Sequence, residues 1–421
     1  MKKICILTLL LLLAGVSHAQ LLKYDFDEKG ETYIRATLRG QFWLRYTETN
    51  PGTTVNGEPT SQALDFSVRR YRMGLQAQVN PKLFFFMLMG GNNINQRASR
   101  PYHIRLLDLY AEYTFNDAIS VGVGKLSWGG PGRYTIFSNA SMLNLDPTIF
   151  ELFTLDHADD FGRNLGMYAK GQVNKFDYTV SLQTPVMPTD AQVASGYAKN
   201  RPRVRFSSYL KYEFLENESN KNPFSGGVGT YLGTKKILNL GIGYVHQAKM
   251  MQKLIAGTTD QYQYYDHSNL GIDLFYDSPI SAKNEAITTY FGYNRLDFGP
   301  DYVRNLAANS IFDSAGTSFN GGGNAFPIVG TGNIFFFQFG YLLAKSEKNN
   351  IRFQPNIGVK ISDFDNLNQT VNVYDAGLNV YFNGQRSKLS FGYQNRPVFD
   401  AATLKVNERK GMYVLQYQIE L

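Results

Sequence analysis

The sequence predicts an all-β fold, a transmembrane antiparallel β-barrel of about 16 strands, on three observations. The last segment, GMYVLQYQIEL, keeps a two-residue period to its end, with Tyr413, Leu415, Tyr417, Ile419 and Leu421 on one face. The connections between such segments alternate between short and long. The 421 residues include 28 Tyr, 30 Phe and 39 Gly, a mixture that suits strands, turns and interfacial girdles better than helices. Chain ends usually fray. A closed barrel explains the terminal order, because its last strand must pair with its first and keep an apolar face to lipid along its whole length.

Residues 1–19 read as a signal peptide: Lys2 and Lys3, an apolar run from Ile4 to Val16, then Ser17 and Ala19 as small residues before the cut. Residues 20–32 read as an N-terminal periplasmic lead, and 33–421 as the barrel domain. Tested against periods of 2 and 3.6, the chain after the signal yields sixteen strands. They are expected at 33–46, 65–79, 82–91, 105–115, 118–126, 163–173, 175–183 and 203–214 in the first half. The second half contributes 236–247, 268–276, 285–295, 332–343, 351–362, 371–382, 387–394 and 410–421. In IRFQPNIGVKIS, Ile351, Phe353, Pro355, Ile357, Val359 and Ile361 share one face, opposite Arg352, Gln354, Asn356 and Lys360. LFFFMLM at 83–89 is apolar on both faces and so needs protein cover inside as well.

Turns after even-numbered strands are short, as in NPK, ND and NGQR. Those after odd-numbered strands are long, notably 47–64, 127–162, 184–202, 248–267 and 296–331. This sorting puts both termini on the short-turn, periplasmic side. Residues 215–235 break it, being long where a short turn is expected.

Several chemistries are excluded. The one cysteine, Cys5, lies within the signal, so the mature chain has no thiolate nucleophile, disulfide or cysteine metal site. His103, His157, His246 and His267 are far apart and lack metal-ligand spacing, and no G-x-S-x-G is present, so neither an enzyme nor a cofactor is expected. LDHADD at 155–160 lacks the spacing of a calcium loop and reads as a solvated acidic loop. Without Lys2 and Lys3 the 42 basic residues fall to 40, against 35 acidic, and no nucleic-acid motif is present.

The informative constellation is the inward face of the strands. Parity places Arg35, Arg39 and Arg45 inside the first strand, and Arg70 and Arg72 inside the second, as one basic strip. Lys170, Arg203, Arg205, Lys211, Arg352, Lys360 and Lys388 also fall on polar faces, against the acids Asp108, Glu112, Asp177, Glu213, Asp273, Asp375 and Glu420. The segment 127–162 is too apolar to float in water and is expected to fold inward as a third extracellular loop, its apolar side chains covered by the strand at 83–89. The acids of this constriction loop, Asp146, Glu151, Asp156, Asp159 and Asp160, beside its one base Arg133, would face the arginines across the opening.

The order DFSVRRYRMGLQAQVNPKLFFFMLMGG, LLDLYAEYTFNDAISVGVGKL, a long insert, then RNLGMYAKG resembles the N-terminal half of the phosphate-selective porins O and P, over residues 60–175. The resemblance implies a sixteen-stranded outer-membrane porin, often trimeric, with an inward third loop and a lumenal arginine ladder. VRRYR corresponds to the family's Arg-rich second strand, so Arg69, Arg70 and Arg72 inherit that role, although parity points Arg69 outward. The departures are the acidic third loop and the terminal Leu421, where many such barrels end in an aromatic residue. The expected function is an aqueous diffusion channel in the bacterial outer membrane for small hydrophilic solutes, with a mild anion preference, phosphate-like anions among them. Expected partners are outer-membrane lipid and two further copies of the chain, and no nucleic acid. The alternative is a plugged barrel serving as scaffold or anchor of a surface or secretion complex.

Overall fold

A computed structural model describes residues 22–95, 104–127, 129–136, 138–146, 163–186, 195–198, 203–221, 229–307, 316–345 and 350–421. The signal peptide therefore lies outside the described residues. Sixteen strands form the barrel: β1 (Tyr33–Glu48), β2 (Gln62–Asn80), β3 (Leu83–Ile94), β4 (Arg105–Asn116), β5 (Ile119–Leu126), β6 (Asn164–Val173), β7 (Phe176–Gln183) and β8 (Arg205–Glu213). Then follow β9 (Ile237–Leu254), β10 (Tyr262–Pro279), β11 (Ala286–Asp297), β12 (Gly332–Leu342), β13 (Arg352–Phe364), β14 (Val371–Asn383), β15 (Ser387–Phe399) and β16 (Val406–Glu420).

Each strand pairs antiparallel with the next, and β1 pairs with β16 from Arg39↔Glu420 to Thr47↔Met412. The seam ends on reciprocal backbone bonds, Leu38 N to Leu421 O at 3.1 Å and Leu421 N to Leu38 O at 2.8 Å. An open edge in hydrocarbon would leave N–H and C=O groups without partners at several kcal/mol each, about what makes closure obligatory. Below the seam, Leu22–Asp25 adds a short strand to β1, Leu22 opposite Ala36 and Asp25 opposite Tyr33.

Burial alternates along the strands. The exposed positions are apolar around the whole circumference: Leu38 and Phe42 on β1, Phe66 on β2, Val123 on β5, Leu165 on β6, Ile242 on β9, Phe337 on β12 and Ile357 on β13. Such a girdle far exceeds the few hundred Å² of contiguous apolar surface that a soluble monomer exposes, so lipid is its solvent. The barrel is thus a structure of the bacterial outer membrane. No described helix is long and apolar enough to cross a membrane.

Two expectations about connections change. The hairpin β9–β10 stays paired as far as Leu254 and Tyr262, so the connection is 255–261 and not 248–267. The long turn-side segment, 214–236, turns back into the barrel, as its buried Glu218 and Thr230 record.

Candidate functional site: the lumen and its constriction

The β1–β2 register assembles the expected strip. Arg39 lies opposite Arg72, Gln41 opposite Arg70, Arg35 opposite Gln76 and Arg45 opposite Asp65. Between the pairs Gln41↔Arg70 and Phe42↔Val68 the register shifts, leaving Arg69 as an extra residue in β2. A bulge of this kind breaks the period-2 rule locally. Both Arg69 and Arg70 consequently face inward and are buried, which corrects the outward placement that parity assigned to Arg69.

These arginines are held by specific acceptors. Arg39 donates from Nε to Glu420 and from a terminal nitrogen to Asn139 Oδ1 at 2.6 Å. Arg45 pairs with Asp65 at 2.7 Å, both fully buried. Arg69 bonds Asp146 at 3.0 and 3.1 Å and Asn93 at 2.9 Å, over the Trp43 ring. Arg70 bonds the same Asp146 carboxylate and, at 3.0 Å, Gln41. Arg72 donates to the carbonyls of Tyr71 and Gly91 and to Asn92 Oδ1.

The connection 127–163, the third on the long-loop side and here termed L3, enters the lumen as expected. Its first part, with a short 3-10 turn at Arg133–Ile136, lies along β8–β12. Pro131 runs so close to the wall that a Cβ at Gly243 would sit 2.2 Å from its carbonyl oxygen, so only glycine permits the approach there. Tyr134 stacks edge-on against Tyr290 at 4.6 Å and packs on Phe336. L3 then crosses to the other wall. Gln41 donates to Asn139 O, Gln418 to Ala140 O, Asn379 to Leu143 O and Lys388 to Met142 O, at 2.9 to 3.1 Å. Wall side chains thus satisfy the loop's carbonyls, which a lumenal backbone requires. A cavity of about 20 Å³, room for roughly one water, is lined by Asn144–Asp146 of L3 and by Asn356, Asp375 and Gln394 of the wall.

Two expectations about L3 are corrected. Asp146 does not face the arginines across an opening; it sits between Arg69 and Arg70, because a buried carboxylate gains most from direct charge-assisted bonds. Burial raises its pKa, and the two guanidinium groups outweigh that and hold it below the ordinary value. Glu151, Asp156, Asp159 and Asp160 lie outside the described residues. The described apolar side chains of L3 also avoid β3: Leu145 packs with Trp43, Met412 and Val414. Phe84 and Phe86 are covered instead by Tyr110, Leu126 and Tyr168 of neighbouring strands.

The opposite wall is acidic. Asp177, Glu213, Asp273 and Asp277 of β7, β8 and β10, with Glu218 of the inserted segment 214–236, are all buried there. Arg133 and Lys211 are the cations bonded among them. Other basic residues of the expected set serve as ties. Lys170 pairs with Glu112 at 2.9 Å and donates to carbonyls at Asn220 and Lys221; Arg205 donates to Gly129 O at 2.6 Å. Lys360 donates to Ile328 O at 3.2 Å, where the connection 298–331 enters from the other end. Arg352 holds Leu232 O at 3.2 Å and Leu343 O at 3.0 Å at the turn-side rim. Arg203 precedes β8 and is exposed, outside the wall that its parity predicted. A cavity of about 270 Å³ beside the periplasmic turns is lined by Gln78, Glu112, Asp117, Lys170 and Lys221 among others.

The fold and this lumen define the class: a closed sixteen-stranded outer-membrane barrel with an inserted constriction loop. Comparison with solved structures agrees. The chain is similar to the high-pH structure of Pseudomonas putida OprB (TM-score 0.57, 9% identity, 92% of this chain and 94% of that one). It is similar to the anion-selective porin from Comamonas acidovorans (TM-score 0.54, 11% identity, 93% and 100% covered). It also resembles the outer-membrane channel DcaP of Acinetobacter baumannii (TM-score 0.53, 12% identity, 94% and 99% covered). At these identities the likeness is one of fold, the porin fold. No protein-family model matches the sequence, and no curated protein matches it. The resemblance to porins O and P is thus supported as far as the porin fold and no further.

Proposed function

We propose that the protein is a diffusion channel for small hydrophilic solutes with a mild preference for anions, phosphate-like ones included. The carrying observation is the surplus of cations confined to one wall at mid-barrel. Arg39, Arg69, Arg70 and Arg72 stand on one wall with two carboxylates, Glu420 and Asp146, and the adjacent Arg163–Asp108 pair is neutral. A surplus of cations on one wall faces the acidic wall of β7–β10, a transverse field that orients polar solutes. The porin from Comamonas acidovorans, alike in fold, is anion-selective. On this reading three copies associate through their apolar outer faces.

The test is the reversal potential of single channels in a planar bilayer under a dilute salt gradient. R39Q/R70Q/R72Q removes three positive charges and is expected to lower the anion-to-cation permeability ratio. The difference should shrink toward 1 M salt, where the screening length falls from about 8 Å to about 3 Å. Insertion is checked by the gel mobility of unboiled protein. Wild-type selectivity in an inserted triple variant would reduce these arginines to wall struts. A second reading, a plugged barrel used as a scaffold, is favoured by three connections, L3, 214–236 and 298–331, that all reach the lumen. A folded wild-type barrel that carries no current would select it.

A further inference from the structure

L3 enters the lumen from the extracellular side and 214–236 from the periplasmic side, and the two meet first at an ion pair. Arg133 of L3 donates to Glu218 of the periplasmic segment through both terminal nitrogens, at 2.7 and 2.5 Å, with both side chains within 2% of complete burial. Each partner is fixed in its own right. The Arg133 guanidinium lies 3.6 Å from the Phe275 ring centroid, and its backbone N–H donates to Asp273 at 2.8 Å. Glu218 also accepts from Lys211 at 3.2 Å, from Tyr231 Oη and from Asn239 Nδ2. A second contact repeats the first: Gly229 N–H donates to Ser141 Oγ of L3, and a Cβ there would lie 2.2 Å from Ser141 O. The segment is tied to the rim by Arg352 and by Thr230, which bonds Thr288 of β11 at 3.0 Å.

We propose that Glu218 is the positioning residue of the constriction: a strap entering from the periplasmic face holds L3 across the lumen, so the width of the pore is set by two connections that enter from opposite sides of the membrane. The inference rests on the channel reading for its functional consequence and on the ion pair alone for its structural one. Removing Glu218 leaves the buried Arg133 charge without its carboxylate, which favours release of Arg133 and its loop toward water, whereas removing Arg133 leaves Glu218 to Lys211 and frees L3 from the strap. Because the strap ends at the periplasmic rim, force or binding there would reach L3 without any contact to it.

The chain's one cysteine is Cys5, so Ser138→Cys in a Cys5→Ser background gives a single site for a nitroxide on L3. In liposomes, E218A and R133A are expected to shift the label from an immobile to a mobile spectrum and to raise single-channel conductance. R133A/E218A strands neither charge; it is expected to insert even where a single variant does not, and to show the same mobile label. An immobile label in the inserted double variant overturns the proposal, since L3 would then be held by the wall alone. A label that mobilises while no variant and no wild type conducts upholds the strap and sinks the channel reading.

Discussion

At the residue scale the lumen shows how a charge can be kept in a barrel wall. Arg45 and Asp65, opposite each other across β1 and β2, are both buried and paired, and the ladder arginines share Asp146 or lean on carbonyls. Losing one partner of such a pair costs about 3–5 kcal/mol, because the other charge stays behind, so these positions tolerate joint replacement better than single replacement. Glu218 permits a pH prediction. Burial alone would raise its pKa, but Arg133, Lys211 and the hydroxyl of Tyr231 outweigh burial and bring it from 4.5 down to about 2. A depressed folded value means that stability from this group is complete above 4.5 and is lost as pH falls through about 2. The part of L3 label mobility and conductance that Glu218 controls, read as the difference from E218Q, should therefore stay level from neutral pH down to about 4.5 and be lost only as pH nears 2. A transition centred near 4.5 would show Glu218 to be solvated and not engaged by Arg133.

At the element scale the strands and the inserted loops obey different rules. A strand is held by its ladder, and the ladder here runs β1 to β16 without a rung from the described residues of L3. L3 is held by side chains: the amides of Gln41, Asn379 and Gln418, the ammonium of Lys388 and the ion pairs of Asp146 and Arg133. Deleting residues 133–155 should accordingly leave insertion and heat-resistant folding intact while enlarging single-channel conductance. Unchanged conductance in the inserted deletion variant would place the current-limiting step in another segment, and 298–331 is the next to remove. The bulge at Arg69 belongs to this scale too. One extra residue in β2 lets two consecutive arginines point inward, and both then reach a single carboxylate.

At the scale of the whole molecule, closure is the main source of resistance to unfolding. Every barrel strand has two ladder partners, and the seam between β1 and β16 is as continuous as the rest. Local fraying then has no edge from which to spread. Unboiled protein in mild detergent is expected to migrate faster on a gel than boiled protein, with a slower band that boiling abolishes if three copies associate. Circular dichroism rich in helix, or identical mobility before and after boiling, would contradict the closed barrel. The two inserted connections that meet at Glu218 and Arg133 add a tie across the lumen, joining segments 85 residues apart in the chain.

Sixteen strands, their order and most of their inward faces were legible in the sequence, because lipid outside and water or polar protein inside impose opposite demands on alternate residues. Arg39 and Arg72 are examples: parity put both on inward faces of adjacent strands, and the register sets them opposite each other. The inward course of L3 was legible for the same reason, since its apolar content needs cover. Tertiary structure alone decided which partner each side chain meets. Parity cannot register the bulge that turns Arg69 inward, because one inserted residue reverses the rule it depends on. Composition could not send Leu145 to Trp43 and leave Phe84 to Tyr110, because any apolar wall satisfies the demand for cover. The sequence marked 214–236 only as a turn of the wrong length. Its meaning lies in Glu218 reaching Arg133 from the opposite side of the membrane, a pairing set by the path of two loops through a shared interior and by no pattern local to either.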